Sequence, residues 1–490
     1  MAPLWADELR QRPARPRRPR LARRGAGALP RRASRGEGLS AADVARAALE
    51  QIDGEAEAVA HSERSGLARF AGSEVHQPTL IENVVVTLRV VRNSRMGVAT
   101  TNRIDDDGFA DVARRATAVA ESAPPDDGFP GLAPPTQAPR VEGCDERTAS
   151  LGPDDQARLA AAAIDAGGDI PLYGFFTSAT AELAVASTTG LAVEQRMTDA
   201  TALVVAAAEG CSGYAEQTAW RAGEIDPAAV ARAATAKAER TRGAGDVEPG
   251  VHRVVLEPYA FAELLDYFSH DSFGALGVLE QRGYLSGRIG ERVFDDKITV
   301  VDDPQDPHGL PKAFDFEGTP KGRVVLVEDG IARSVVWDRT TAARASDGVA
   351  TTGHAGPVES RHWGPLPYCL SVAPGEAESV DELAQLVGDG IYVTRLHYLG
   401  VVDPREGVVT GMTRDGTFRI RDGKIAEPLV NLRFTVSVPD LLGEVYGLTR
   451  RATLVNSQNF YGERYPYGVL APAVAAARFP ITGSGSKPGI

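Results

Sequence analysis

Apolar and polar positions change their period several times along this chain, and each change marks an element. Ser40-Ala-Ala-Asp43 opens a helix to about residue 52, with the serine placed as its cap and the aspartate at the third helical position. Residues 56–61, 66–70 and 83–91 read as strands, the last because Val-Val-Val-Thr-Leu-Arg-Val-Val is long and β-branched. Residues 92–97 read as a turn into a strand at 98–101. From 106 to 122 the period becomes helical, and the helix begins on acidic residues, as the positive end of its dipole prefers. The order helix, strands, helix predicts an α+β unit rather than a run of βαβ repeats.

A Pro/Gly-rich acidic stretch at 124–139 reads as a surface connection. Helix returns at 153–166, four strand-like segments lie between 172 and 208, and an alanine-rich helix spans 227–239. Residues 243–250 look like a linker, and a new strand begins at 251–256. Beyond it strands dominate. Asp329-Gly330 and Asp422-Gly423 sit between apolar, β-rich runs and predict hairpins, since a type I′ turn needs positive φ at both central residues. A short helix at 380–387, capped by Ser379, precedes a strand at 390–395. The fold class predicted is α+β: an N-terminal α+β domain with a mixed or antiparallel sheet flanked by helices, and a β-rich C-terminal domain. The expected divisions are a disordered tail at 1–38, an N-terminal domain at 39–122, a linker and central α+β region at 123–250, and the C-terminal domain at 251–490. No tandem repeat of 20–50 residues stands out.

Composition changes the picture in two places. The net charge of −13 hides an asymmetry, because residues 1–36 hold eleven arginines against Asp7 and Glu8. That tail carries +9 and the remainder −22, which argues against a nucleic-acid-binding body. The tail cannot bury a core and lacks the apolar stretch of a secretory signal. Three widely separated cysteines, Cys144, Cys211 and Cys369, do not suggest a disulfide framework, so a reducing cytoplasm is expected. No apolar run is long enough for a membrane span.

Several blocks, in this order, resemble the TldD/PmbA family of metallopeptidases over about residues 40–485. They are Phe70-Ala-Gly-Ser-Glu and Met96-Gly-Val-Ala; Arg288-Ile-Gly-Glu with Val300-Val-Asp-Asp303; Asp315-Phe-Glu-Gly-Thr319; Thr352-Gly-His-Ala-Gly356; and Gly407-Val-Val-Thr-Gly411 with Phe418-Arg-Ile-Arg-Asp-Gly-Lys-Ile-Ala-Glu-Pro428. The resemblance implies a two-subunit peptidase whose catalytic member carries a His-Glu-x-x-x-His helix and a distant cysteine. Two imidazoles and a thiolate would hold one zinc, and the glutamate would serve as general base.

Counting back from Leu285-Ser-Gly287, that motif falls on Asp266-Tyr267-Phe-Ser-His270-Asp271, preceded by Leu264-Leu265. Asp266 and Asp271 stand where the histidines should be, Tyr267 replaces the glutamate, and Tyr461 before Gly462 takes the place of the cysteine. This pattern resembles the PmbA (TldE) branch, which lacks the zinc motif. It implies a non-catalytic subunit with no cofactor of its own, zinc on a TldD-like partner, and an unfolded or extended peptide as substrate. The alternatives are a homodimeric peptide-binding scaffold or a hydrolase with a relocated site. His354 in its glycine-flanked turn, His270 and Tyr465 are the candidate peptide contacts. Neither nucleic acid nor membrane is expected as a partner.

Overall fold

A computed structural model of the chain describes residues 39–345, 348–457 and 464–489; the arginine-rich tail and Tyr461 lie outside them. The elements of the first half are α1 (Ala41–Leu49), β1 (Ala56–Ala71), β2 (Glu74–Arg92), β3 (Arg95–Thr101), α2 (Asp106–Ser122), α3 (Glu146–Ala149), α4 (Pro153–Ala166), β4 (Leu172–Ser187), β5 (Ala192–Ala208), β6 (Cys211–Ala219) and α5 (Pro227–Arg240). The second half holds β7 (Gly250–Leu256), α6 (Pro258–Ser272), α7 (Ala275–Leu279), β8 (Val300–Asp302), β9 (Val324–Glu328), β10 (Ile331–Ala332), α8 (Arg339–Arg344), β11 (Leu370–Val372), α9 (Val380–Val387) and β12 (Gly390–Asp403). It ends with β13 (Val408–Arg421), β14 (Lys424–Leu429), β15 (Leu432–Ser437), α10 (Val438–Leu442), β16 (Val445–Asn456) and β17 (Gly468–Ser484).

The helix starts follow from their caps. Ser40 and Asp43 form a reciprocal capping box on α1, Asp105 caps α2, and Asp226 caps α5 ahead of Pro227. Both predicted hairpin turns have positive φ at each central residue: Asp329 at 49° with Gly330 at 75°, and Asp422 at 49° with Gly423 at 73°.

Six strands form one antiparallel sheet in the order β3-β2-β1-β4-β5-β6. The expected boundary at residue 122 therefore runs through the middle of a sheet, because β1 from one side of it pairs along its length with β4 from the other. The strands at 56–61 and 66–70 are one strand. The polar Ser62–Ser65 stretch between them is not a turn, since Glu63 and Ser65 are buried on the sheet's second face. The four segments between 172 and 208 are two long strands, and β6, with its small and polar residues, was not anticipated.

Helices α1, α2, α4 and α5 all cover one face of this sheet. Val44 and Val112 pack with Val86, Leu88 and Val90, while Ala160 and Val230 pack with Leu172, Phe176 and Val204. The arrangement is a duplication that the sequence does not display: α1-β1-β2-β3-α2 recurs as α4-β4-β5-β6-α5, and the strand order mirrors about β1 and β4. One close contact occurs twice. A Cβ on Gly97 of β3 would come within 1.9 Å of the Ala116 carbonyl oxygen of α2, and one on Gly213 of β6 within 2.1 Å of the Ala234 oxygen of α5. The absence of a side chain lets each helix lie directly on its strand.

The second sheet is mixed and larger. Its pairings β17-β15-β13-β12-β7 return from β7 to β17, closing a ring, and β11, β8, β9 and β10 extend from β17. Helix α6 lies against β12 and β17, in the largest apolar core of the molecule.

The repeated contact yields a test. Gly97→Ala and Gly213→Ala should each lower stability by about 1–3 kcal/mol, through forced separation of helix from strand. Urea unfolding of the two variants checks this; a loss in one and none in the other would contradict the equivalence of the two units.

Candidate functional site

Pro258 takes the first helical position of α6, where its missing N–H costs nothing. Phe261, Leu264, Leu265 and Phe268 anchor the helix in the core. Glu263, Asp266, Tyr267 and His270 follow one another at helical spacing and form a polar stripe, half-buried at every position except Asp266.

Asp266 is 8% exposed and accepts the phenol proton of Tyr467. Burial pushes its carboxyl up to about 6, with His270 pulling the other way. One turn earlier, burial pushes Glu263 up to about 8 against the pull of Arg395. Burial, with Glu263 and Asp266 nearby, also raises the Tyr267 phenol. Its ring meets His270 edge-on at 6.5 Å, and His270 packs on Trp363 at 5.5 Å. Asp271 is buried and ion-paired with Arg282. The chain after the helix wraps closely around it: a Cβ on Gly277 or Gly283 would come within 2.0 Å of the Asp271 carbonyl oxygen.

These residues do not fit zinc. The two carboxylates at the motif positions are already held, one by a phenol and the other by a guanidinium. The charge of Arg282 would oppose a metal cation, and no imidazole or thiolate joins the carboxylates. Among the described residues, no group of three or more His, Cys, Asp or Glu side chains is placed to hold a metal ion. Two described candidates for a relocated nucleophile are both engaged or deactivated. Cys369 is buried, its thiol pushed up to about 11 by desolvation, and the Ser286 hydroxyl donates to the Gly277 carbonyl at 3.1 Å.

Of the candidate peptide contacts, His354 is corrected by its burial. It is 0% exposed, with Nε2 2.8 Å from Asp302 Oδ1 and Nδ1 2.9 Å from Thr352 Oγ1, so no ring atom is left for a peptide. Tyr465 is half-buried, its ring 4.9 Å from Phe316 and 5.6 Å from Tyr368. The Tyr368 ring lies 5.4 Å from Tyr467, so a row of aromatic rings leads from Phe316 to Asp266. Tyr461 lies outside the described residues, but both flanks of its segment are placed. On one side the Asn456 N–H donates to Glu216 Oε1 at 2.8 Å, and its side-chain amide to Thr201 at 3.1 Å. On the other, Arg464 is 2% exposed and ion-paired with Asp199, donates to Thr177 at 2.8 Å, and gives its backbone N–H to Glu63.

The tyrosines Tyr461, Tyr465 and Tyr467 read in sequence as a possible groove lining, but the bond from Tyr467 to Asp266, the role of Arg282 and the Arg464–Asp199 pair were missed. The lone aspartate in the strand Met197-Thr-Asp-Ala-Thr-Ala-Leu203 was the available signal, because an ionised group in a strand buried on both faces requires a partner.

Residues 249–483 match the PmbA/TldA metallopeptidase C-terminal domain and residues 56–120 match domain 1 of the same family, together more than half of the chain. A metalloprotease of Methanothermobacter thermautotrophicus is 29% identical over 218 residues, 43% of this chain and 46% of that one. The metalloprotease TldD homolog of Buchnera aphidicola is 25% identical over 201 residues, 40% of this chain and 41% of its own length. The chain thus spans less than half the length of the curated relatives it matches. The crystal structure of TldE from Thermococcus kodakarensis has the same fold, with a TM-score of 0.79 at 19% identity over 90% of this chain and 99% of that one.

Two variants test the site. The folded chain holds a proton on Asp266 between pH 3.8 and about 6 that the unfolded chain releases. Stability from this group is therefore present below about pH 4 and lost as the pH rises through 6. Asp266→Asn keeps an oxygen for Tyr467 and lacks that loss. It should exceed the parent in stability by up to roughly 2–3 kcal/mol at pH 8, with the difference vanishing near pH 3. Arg464→Ala should cost about 3–5 kcal/mol at neutral pH, because it leaves Asp199 buried and unpaired. Denaturant unfolding across pH measures both.

Proposed function

The chain belongs to the PmbA/TldA metallopeptidase family, and on that premise we propose that it is the non-catalytic, TldE-like subunit of a TldD-type zinc peptidase. In this reading it pairs in the cytoplasm with a TldD-like chain that carries the zinc, and together they enclose an unfolded or extended peptide for cleavage or maturation. The observation that carries the proposal is the use made of the two motif carboxylates. Asp266 is bonded to Tyr467 and Asp271 to Arg282, so the positions that would ligate a metal instead fasten the helix to its surroundings. What remains of the site is a wall of carboxyls and aromatic rings, suited to contacting a chain rather than activating water. Among the described residues, no helix is long and apolar enough to cross a membrane.

Co-expression with a homologue that carries the His-Glu-x-x-x-His helix tests this. The isolated chain should hold far less than one zinc and cleave no peptide. The pair should co-purify, carry zinc on the other chain and lose its peptidase activity to a chelator. Zinc at one per chain on this protein alone, lost in His270→Ala, would overturn the proposal, as would a chain that remains a homodimer with the partner present.

A further inference from the structure

The sheet face opposite the helices holds an enclosed polar site outside α6. Glu57 and Val59 of β1 lie across from Arg89 and Thr87 of β2 in the antiparallel register, all four side chains on that face. With Phe316 and the stretch from Gly356 to Arg361 they line a cavity of about 30 Å³. Glu57 is 1% exposed and Arg89 9%. Arg89 Nη1 stands 3.4 Å from Glu57 Oε1 and 3.6 Å from Glu317 Oε1. Two buried atoms beside the cavity, Glu57 Oε2 and Arg89 Nε, have no partner. A buried donor or acceptor left empty is destabilising, so a ligand that satisfies both atoms gains on both sides.

The two atoms ask for opposite things: Glu57 Oε2 accepts and Arg89 Nε donates. A simple cation would answer only the first and an anion only the second. A planar group with an N–H beside a C=O answers both, and the volume has room for roughly two or three heavy atoms, the size of a carboxamide. Phe316 lines the cavity and heads the row of rings that leads through Tyr465, Tyr368 and Tyr467 to Asp266. The exposed Glu359 and Arg361 rim its mouth. We propose that this cavity is a carboxamide-binding subsite, taking an Asn or Gln side chain or a backbone peptide group of the bound chain. The choice of a peptide as carrier rests on the function proposed above.

Calorimetric titration of the full chain with blocked pentapeptides Ala-Ala-X-Ala-Ala tests it, with X as Gln, Leu or Glu and with acetamide as a separate NMR-observed probe. Val59→Leu fills the cavity without touching the polar pair, and Glu57→Gln alters the acceptor. A side-chain subsite predicts that the Gln peptide binds at least about tenfold tighter than the other two, with the preference lost in both variants. A backbone subsite predicts equal affinities that all fall about tenfold in Val59→Leu. Peptide affinities that ignore X and both variants would overturn the inference while leaving the proposed function standing. If no peptide binds but acetamide does, and Val59→Leu abolishes it, the cavity's chemistry is upheld and the peptide-binding reading fails. Binding of neither would mean that the cavity holds only water, and would overturn the inference.

Discussion

The buried ion pair between Arg464 and Asp199 is the contact on which the relation of the two halves rests. One face of the six-stranded sheet is apolar and covered by its own helices. The other carries Glu57, Glu63, Thr177, Asp199, Thr201 and Glu216, all buried. Leu183, Val185 and Met197 on that face pack against Phe314 and Phe316 of the C-terminal half. The polar groups, however, cannot be covered by an apolar surface, because every group that loses water needs a partner. The C-terminal half supplies partners that fit in one position only: Arg464 between Asp199, Thr177 and Glu63, and Asn456 on Glu216 and Thr201. A slip of either half would strand several of these groups at once. The polar layer therefore specifies the docking more strictly than apolar burial could.

Anchoring Arg464 also places the residues just beyond it. Three positions on, Tyr467 reaches α6 and closes on Asp266. Under the function proposed for this chain, the zinc ligands of its partner correspond to positions on this helix and on the segment around residue 461. The metal would then tie the helix to that segment. Here the phenol–carboxylate bond joins the same two parts of the chain, and Arg282 secures the far end of the helix through Asp271. Removing a metal from a buried site normally leaves its ligands as unpaired polar groups. Exchanging the ligands for side chains that bond one another keeps the frame without that cost.

What the sequence made legible was local. Caps at Ser40 and Ser379, the acidic start of the helix at 106 and the Asp-Gly turns all lie within a few residues of the signal that predicts them. Two features were hidden by the chemistry of the interface. The Ser62–Ser65 stretch of β1 broke the apolar alternation because its buried residues face the polar layer, so one strand read as two. In β6, Cys211 and Ala215 turn to the helices while Tyr214 and Glu216 join the interface, which left no hydrophobic signature. The partners of the site escaped for a different reason. Tyr467 is 201 residues from Asp266, and Arg464 is 265 from Asp199; no local pattern encodes pairings of that length.

The same polar layer sets how the molecule should respond to pH. Carboxyls that met a close cation are held low: Asp302 falls to about 2 despite its burial, through Lys321 and His354, and Asp415 is lowered by Arg395. Those without a full counter-charge are raised by burial: Glu57 and Glu216 above the usual carboxylate range, Asp266 to about 6, Asp315 to about 7 and Glu263 to about 8. A raised acid stabilises the fold most below its ordinary range and loses that contribution as the pH climbs through its shifted value. The raised groups lie between the sheet and the C-terminal half, or on the helix stripe beside it, rather than in either apolar core. Alkaline conditions should therefore loosen the docking of the two halves before they reach the packing within each, and the face of α6 that meets Tyr467 is part of what would open.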